Sequence, residues 1–130
     1  MFDMYQENIL DHSRHPRHRG LLDEYTHHAE DDNPLCGDRL EITFQVDDDN
    51  RIVKIGWDGD GCAISQASAS MLGEQILGKP LDEVKALDKD DIMELIGIPL
   101  SANRMKCALL SLKVVKAAAY DIERWEAEDE

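Results

Sequence analysis

Three cysteines, each in a different sequence context, are the residues of this 130-residue chain with the most evident capacity for chemistry. Cys36 lies in an Asn-Pro-Leu-Cys-Gly-Asp segment, Cys62 in a Gly-Asp-Gly-Cys-Ala segment, and Cys107 in an Arg-Met-Lys-Cys segment. No two of them form a Cys-x-x-Cys pair, so any shared site has to be assembled by the fold. Thiolates accompanied by a carboxylate are ligands that bind zinc, iron or an iron–sulfur cluster.

Asp38, two residues after Cys36, can turn a carboxylate toward the same point. Three sulfur atoms and one oxygen would form a tetrahedral set for zinc or for part of a two-iron cluster. Because a carboxylate exchanges more readily than a thiolate, such a site would be labile and suited to release. We also predict that Cys107 lies in the first turn of a helix, where the helix dipole and Lys106 would favour its thiolate.

The alternative is that the three cysteines are unrelated core residues, since free cysteine is among the most buried residue types. Their separations in sequence, 26 and 45 residues, match no local zinc motif. Glycine and aspartate neighbours favour the shared site, because core cysteines usually have apolar neighbours. The pattern by itself leaves both interpretations open.

The elements that would position these cysteines follow from periodicity and from turn residues. A helix is predicted over 3–12, followed by a polar, His-rich, extended and mobile region over 14–32. Strict alternation predicts a strand over 40–46, and an Asp-Asp-Asp-Asn turn leads to a returning strand over 51–57. We expect Trp57, on the second strand, to be a core residue.

The second half of the chain reads as helical. Helices are predicted over 65–77, with an Ala/Ser run suited to close packing, over 81–87, and from Asp88 through Ile96. Asn103 is expected to cap a last helix over 104–125, with an apolar stripe of Leu109, Leu112, Val115, Ala119 and Ile122. Length and the absence of repeats predict a single domain over 1–130.

The charge balance limits the function classes. With 14 basic and 28 acidic residues the net charge is −14, which repels nucleic acid and anionic membranes and suits docking on basic patches of other proteins. No stretch is apolar enough to span a bilayer, and the N-terminus has no signal-peptide pattern, so we expect a cytoplasmic protein with reduced thiols.

Two other features invite a metal interpretation and lack support. His12, His15 and His18 are three residues apart, but Pro16 interrupts a helix there, so a solvated polar arm is favoured over a histidine site. His12 fits better as a packing or hydrogen-bonding residue at the end of the first helix. The Asp-Asp-Asp-Asn turn lacks the pattern of an EF-hand calcium loop.

Taken together, the three cysteine segments, the Ala/Ser-rich helix after Cys62 and the N-terminal residues 5–20 resemble the U-type iron–sulfur cluster assembly proteins (IscU, SufU and the NifU N-terminal domain). The resemblance covers nearly the whole chain. It implies an α+β fold, a three-stranded antiparallel sheet packed by about four to five helices, with the site exposed at one end.

The resemblance also implies that Cys36, Asp38, Cys62 and Cys107 bind zinc or a transient cluster, most simply [2Fe–2S]. The implied partners are a pyridoxal-phosphate cysteine desulfurase, which donates persulfide sulfur, and apo iron–sulfur acceptor proteins. In this interpretation the cysteines are also persulfide carriers, with Cys36 the expected acceptor and Cys107 its competitor.

The branch within that group stays open. Lys106 stands where IscU-type proteins carry a histidine, and the preceding Pro-Leu-Ser-Ala-Asn segment differs from their Leu-Pro-Pro-Val-Lys chaperone motif. The Arg-Met-Lys-Cys segment is similar to SufU, yet the SufU insertion between the second and third cysteines is missing. The rival functions are therefore a SufU-like zinc-dependent sulfurtransferase that activates a desulfurase and a purely structural zinc domain.

Overall fold

A computed structural model describes residues 4–33 and 37–122 of the chain. These residues form an α+β fold with three strands and five helices, which confirms the predicted fold class. The strands are β1 (His27–Asn33), β2 (Asp38–Val46) and β3 (Ile52–Asp60); the helices are α1 (Met4–Arg14), α2 (Ala63–Ile76), α3 (Leu81–Lys85), α4 (Lys89–Ile96) and α5 (Ala102–Ala119). None of the described helices has the length and apolar character needed to cross a membrane.

The three strands form one antiparallel sheet in the order β1-β2-β3. The predicted hairpin turn between β2 and β3 is confirmed. The Asp47 carboxylate accepts hydrogen bonds from the backbone N–H groups of Asp49 (2.9 Å) and Arg51 (3.0 Å). Asn50 takes the left-handed conformation, with φ of 61°, that asparagine tolerates in a turn.

One face of the sheet carries the core. Ile42 pairs in register with Trp57 and Phe44 with Ile55, so these four buried side chains lie on the same face. Helices α5 and α2 cover that face. As predicted, Trp57 is a core residue, and the Ala/Ser run of α2 is buried, which allows α1 and α5 to approach closely.

The prediction that residues 14–32 form a mobile region is wrong in its second half, because strand β1 begins at His27 and pairs with the sheet. The strand has the sequence His-His-Ala-Glu-Asp-Asp-Asn, in which only Ala29 is buried, so it has no apolar alternation to reveal it. It forms because β2 offers an edge for backbone pairing, and charged residues are common on edge strands.

The first half of that region is also attached to the sheet. The Gly20 N–H donates to the Trp57 carbonyl (2.7 Å), and the Trp57 N–H donates to the His18 carbonyl (3.1 Å). The next residues cross the second face of the sheet, where the Leu22 N–H donates to the hydroxyl of the buried Thr43 (3.0 Å). β2 is therefore covered on both faces at this point, whereas its alternating pattern predicted one buried face.

Both ends of α5 differ from expectation, whereas the start of α4 agrees. α5 is capped by Ser101, whose hydroxyl accepts from the Arg104 N–H (3.3 Å), so it begins at Ala102 and not after Asn103. It ends at Ala119, which leaves Ile122 outside the apolar stripe and 42% exposed; residues 123–125 of the predicted helix lie outside the described residues. The Asp88 cap of α4 is confirmed as a reciprocal capping box.

His12, near the end of α1, is a buried hydrogen-bonding residue, as predicted. Its Nδ1 lies 2.7 Å from the Ser70 hydroxyl of α2, which also accepts from the Arg17 N–H (2.8 Å). Burial, aided by the nearby Arg17 cation, lowers the pKa of His12 below its usual value near 6.5. The imidazole therefore stays neutral and joins α1 to α2.

This lowered pKa predicts a loss of stability in mild acid. Below about pH 6.5 the unfolded chain protonates His12 more readily than the folded chain does, so the His12 contribution is present above that pH and is lost below it. In His12→Asn, the free energy of unfolding should fall less between pH 7.5 and 5.5 than in wild type, as measured by urea denaturation.

The matched control is His15→Asn, because His15 is exposed on the same segment. This variant should show the wild-type fall. An equal fall in wild type and in His12→Asn would contradict a buried, neutral His12.

Candidate metal centre

Asp38, the first residue of β2, has a carboxylate that is almost fully inside the protein, with 2% of the residue exposed. Its Oδ1 accepts a hydrogen bond from the Cys62 backbone N–H (3.2 Å), and its Oδ2 lies 3.9 Å from the Cys62 sulfur. A buried carboxylate is costly unless it is paired or bound to a metal. The Cys62 N–H therefore holds the Asp38 side chain toward Cys62, and a cation bound beside the carboxylate would neutralise its charge.

Cys62 lies between β3 and α2 and is the exposed member of the group. It occupies the N-cap position of α2, yet its side chain makes no capping hydrogen bond, which leaves the sulfur available to a ligand. This position is the positive end of the α2 helix dipole. From the sequence, the position in the first turn of a helix was predicted for Cys107.

Cys107 is buried, with 4% of the residue exposed. Because α5 begins at Ala102, Cys107 lies in its second turn and not in the first, as had been predicted. The dipole effect weakens beyond the first turn, so it gives Cys107 less support than expected. Lys106 is exposed beside it, and its proposed role as a thiolate-stabilising cation stays a prediction.

The fold brings these three side chains together. The Asp38 oxygen and the sulfurs of Cys62 and Cys107 lie within 4.8 Å of one another. Two ligands on one tetrahedral zinc are roughly 3.3–3.8 Å apart, given metal–ligand bonds of about 2.0–2.3 Å. A contraction of about 1 Å would therefore suit a single ion, and two thiols with one carboxylate fit zinc or iron chemically.

The fourth predicted ligand, Cys36, lies outside the described residues. Over residues 4–33 and 37–122, the group of Asp38, Cys62 and Cys107 is the one in which three or more His, Cys, Asp or Glu side chains could hold a metal ion. Among the described residues, no histidine belongs to this group.

The backbone at Gly61 approaches the site closely. A Cβ atom on Gly61 would lie 2.3 Å from the Ser65 hydroxyl and 2.7 Å from Asp38 Oδ1, closer than van der Waals contact allows. A methyl group at this position would therefore displace the Ser65 hydroxyl and the Asp38 carboxylate, or the turn itself.

Known proteins are similar to this chain in sequence and in fold. The pattern of the NifU-like N terminal domain matches residues 4–129. The chain belongs to this family. A solved SufU from Fervidobacterium islandicum, described as a putative iron–sulfur cluster assembly scaffold protein, is 30% identical, superimposes with a TM-score of 0.73, and is matched over 87% of this chain and 94% of its own.

Two curated relatives of this NifU-like chain carry different functional names. The zinc-dependent sulfurtransferase SufU of Bacillus subtilis is 32% identical in an alignment of 130 positions that covers 87% of this chain and 87% of its own. The iron–sulfur cluster assembly scaffold protein IscU of Thermotoga maritima is 34% identical over 138 residues, covering 93% of this chain and 96% of its own. Each alignment is longer than the part of this chain that it covers. The extra positions are residues of the relative, so both relatives have segments that this chain lacks.

The close approach at Gly61 predicts that Gly61→Ala will weaken metal binding with little loss of folded protein. The added methyl group would push the Cys62 turn away from Asp38, and displacing groups around a site typically costs tenfold to a hundredfold in affinity. The measurement is zinc affinity by competition with a chromophoric chelator.

Gly73→Ala is the matched control. A Cβ at Gly73, within α2, would meet only Ile55 Cδ1, at an ordinary 3.7 Å, so this variant should bind zinc like wild type. Unchanged zinc affinity in Gly61→Ala would show that the tight contact at the turn does not shape the site.

Proposed function

We propose that this protein is an iron–sulfur cluster assembly scaffold that accepts persulfide sulfur from a cysteine desulfurase and builds and transfers a labile cluster. The proposed ligands are Cys36, Asp38, Cys62 and Cys107, and the cluster is [2Fe–2S]. The observation that supports it most is the convergence of Asp38, Cys62 and Cys107 at a site where one thiol is exposed and the other two groups are buried.

Chain connectivity supports Cys36 as the remaining ligand. Consecutive Cα atoms are 3.8 Å apart, so the Cα of Cys36 cannot be more than about 7.6 Å from that of Asp38. Gly37, the residue between them, is exposed and has a φ of 75°, which is a conformation that few other residues adopt. A short loop of this kind can bring a thiol to a site whose carboxylate is two residues away.

Burial supports the order in which the thiols act. A desulfurase persulfide has to approach the accepting sulfur directly, and Cys107, at 4% exposure, is shielded by α5 and its neighbours. We therefore propose Cys36 as the acceptor over Cys107. Its thiolate would attack the outer sulfur of the persulfide, the S–S bond would break, and the desulfurase cysteine would leave as a thiolate. This step is redox-neutral, and reduction of the bound sulfur to sulfide requires two electrons from a separate donor.

A zinc-dependent sulfurtransferase is the second candidate. It is supported by the name of the Bacillus subtilis relative and by Lys106 in the segment similar to SufU. In this function a zinc ion on the same residues keeps the thiols reduced until the partner displaces one of them. A structural zinc domain is supported less well, because Cys62 is exposed and a carboxylate belongs to the group, whereas structural sites favour closed sulfur and nitrogen shells.

Anaerobic reconstitution distinguishes these functions. Protein incubated with a desulfurase, cysteine, ferrous iron and a reductant should gain iron and sulfide with the visible absorption of a [2Fe–2S] cluster and lose any zinc. A sulfurtransferase would keep its zinc, gain no cluster and accelerate the desulfurase. Unchanged zinc together with no effect on the desulfurase would contradict both functions.

The ligand set predicts the effect of removing each thiol. Changing Cys36, Cys62 or Cys107 to Ser should abolish cluster assembly and lower zinc affinity by roughly a hundredfold or more, since a hydroxyl is a poor ligand for these metals. The matched control is His15→Ala, which should assemble a cluster as wild type does. A cysteine whose Ser variant behaved like wild type in both assays would revert to a structural residue.

The acceptor assignment predicts where labelled sulfur arrives first. After a single turnover with labelled persulfide, mass spectrometry should find the added sulfur on Cys36, and Cys36→Ser should accept little. Label on Cys107 alone, with Cys36→Ser fully competent, would overturn the assignment.

A further inference from the structure

The Arg19 side chain donates three hydrogen bonds around the Cys62 turn, although it belongs to the N-terminal segment. Its Nε donates to Asp58 Oδ1 (3.1 Å), its Nη1 to Gln66 Oε1 (2.6 Å), and its Nη2 to the Gly59 carbonyl (2.8 Å). These three acceptors lie on the end of β3 and the first turns of α2, on either side of Cys62. We propose that Arg19 is a positioning residue that fixes the Cys62 turn for metal binding and cluster binding.

The acceptors are themselves linked, so the guanidinium closes a small network. Asp58 Oδ1 also accepts from the Gly59 N–H (2.9 Å), and Gln66 Nε2 donates to the Gly59 carbonyl (3.3 Å). The Gln66 N–H in turn donates to the Cys62 carbonyl (3.0 Å). Restraint of Gly59 and Gln66 therefore restrains the Gly-Asp-Gly-Cys turn between them.

Arg19 itself is held in place. The residues on both sides of it are hydrogen-bonded to the backbone of Trp57, and both have positive φ, 63° at His18 and 115° at Gly20. The guanidinium carbon lies 5.0 Å from the centroid of the Trp57 ring, within range of a cation–π interaction. A planar fork held on an aromatic face can engage three acceptors at once, and lysine cannot reproduce that geometry.

The turn held in this way bears directly on the site. The Cys62 N–H donates to Asp38, and Gly61 is packed against the Asp38 carboxylate, so the turn sets the relation between sulfur and oxygen ligands. In the contacts described, Arg19 touches neither a cysteine sulfur nor the Asp38 carboxylate, and it acts on the site through the backbone. The effect of Arg19 on metal binding rests on the proposed function, whereas its effect on the backbone of the Cys62 turn does not.

The first test uses the metal-free protein and so does not depend on the proposed function. Arg19→Ala should raise the hydrogen-exchange rate of the Cys62 amide about tenfold, the change expected from losing hydrogen bonds made by a partly exposed charged group. The matched control is Arg51→Ala, because Arg51 is an exposed arginine that donates to the Gly78 carbonyl at the opposite end of β3. It should leave exchange at Cys62 unchanged.

The second test uses protein loaded with Co²⁺, whose visible ligand-field bands report coordination geometry. Arg19→Ala should alter these bands and release Co²⁺ to a chelator at least tenfold faster, with Arg19→Lys close to Ala and Arg51→Ala like wild type. Gln66→Ala should also accelerate Co²⁺ release. In the variant with both Arg19→Ala and Gln66→Ala, release should be accelerated by less than the product of the two single effects, since both side chains act on Gly59.

The inference would be overturned if Arg19→Ala had the Cys62 amide exchange rate and the Co²⁺ spectrum of wild type. It would also be overturned if Arg51→Ala changed both as much as Arg19→Ala does. If wild type itself binds no Co²⁺, the proposed function fails, while amide exchange still decides the role of Arg19. If Arg19→Ala does not fold, Arg19→Lys and Gln66→Ala carry the same comparison.

Discussion

The burial of one carboxylate, that of Asp38, is the constraint on which this end of the fold depends. A charge placed inside a protein without partners costs several kcal/mol, so its surroundings have to supply donors or a cation. The Cys62 N–H supplies one donor, and the tight turn at Gly61 brings it there. The same geometry places two thiols beside the carboxylate, so that the structural requirement of Asp38 and the binding of a metal are met by one arrangement.

Exposure divides the candidate site into an accessible part and a protected part. The Cys62 sulfur is exposed at the positive end of the α2 dipole, whereas Asp38 and Cys107 are buried beneath it. A protein that only retained a structural ion would gain from closing all of its ligands. An open side allows a partner to reach the sulfur, and the buried side keeps water from two of the groups.

The N-terminal segment stabilises the elements on both sides of Cys62. His12 joins α1 to α2 through Ser70, the Trp57 indole N–H donates to the Arg17 carbonyl (2.8 Å), and Arg19 spans the β3–α2 turn. The contacts of Trp57 and Arg19 are polar and only partly buried, so each one stabilises weakly on its own. Together they orient a turn that otherwise consists mainly of glycine and aspartate, residues with little intrinsic conformational preference for one geometry.

The sequence by itself determined what depends on neighbours in the chain: the β2–β3 hairpin, the helix capped by Asp88 and the buried Trp57 all follow from periodicity and local hydrogen bonding. The resemblance of the cysteine segments to a known family also predicted which residues would be the ligands. Tertiary structure decided that β1 is a strand, because its charged residues pair with an edge and bury only Ala29. It alone brought Asp38, Cys62 and Cys107 within 4.8 Å, since contacts across such separations arise from packing of whole elements, which no local pattern encodes.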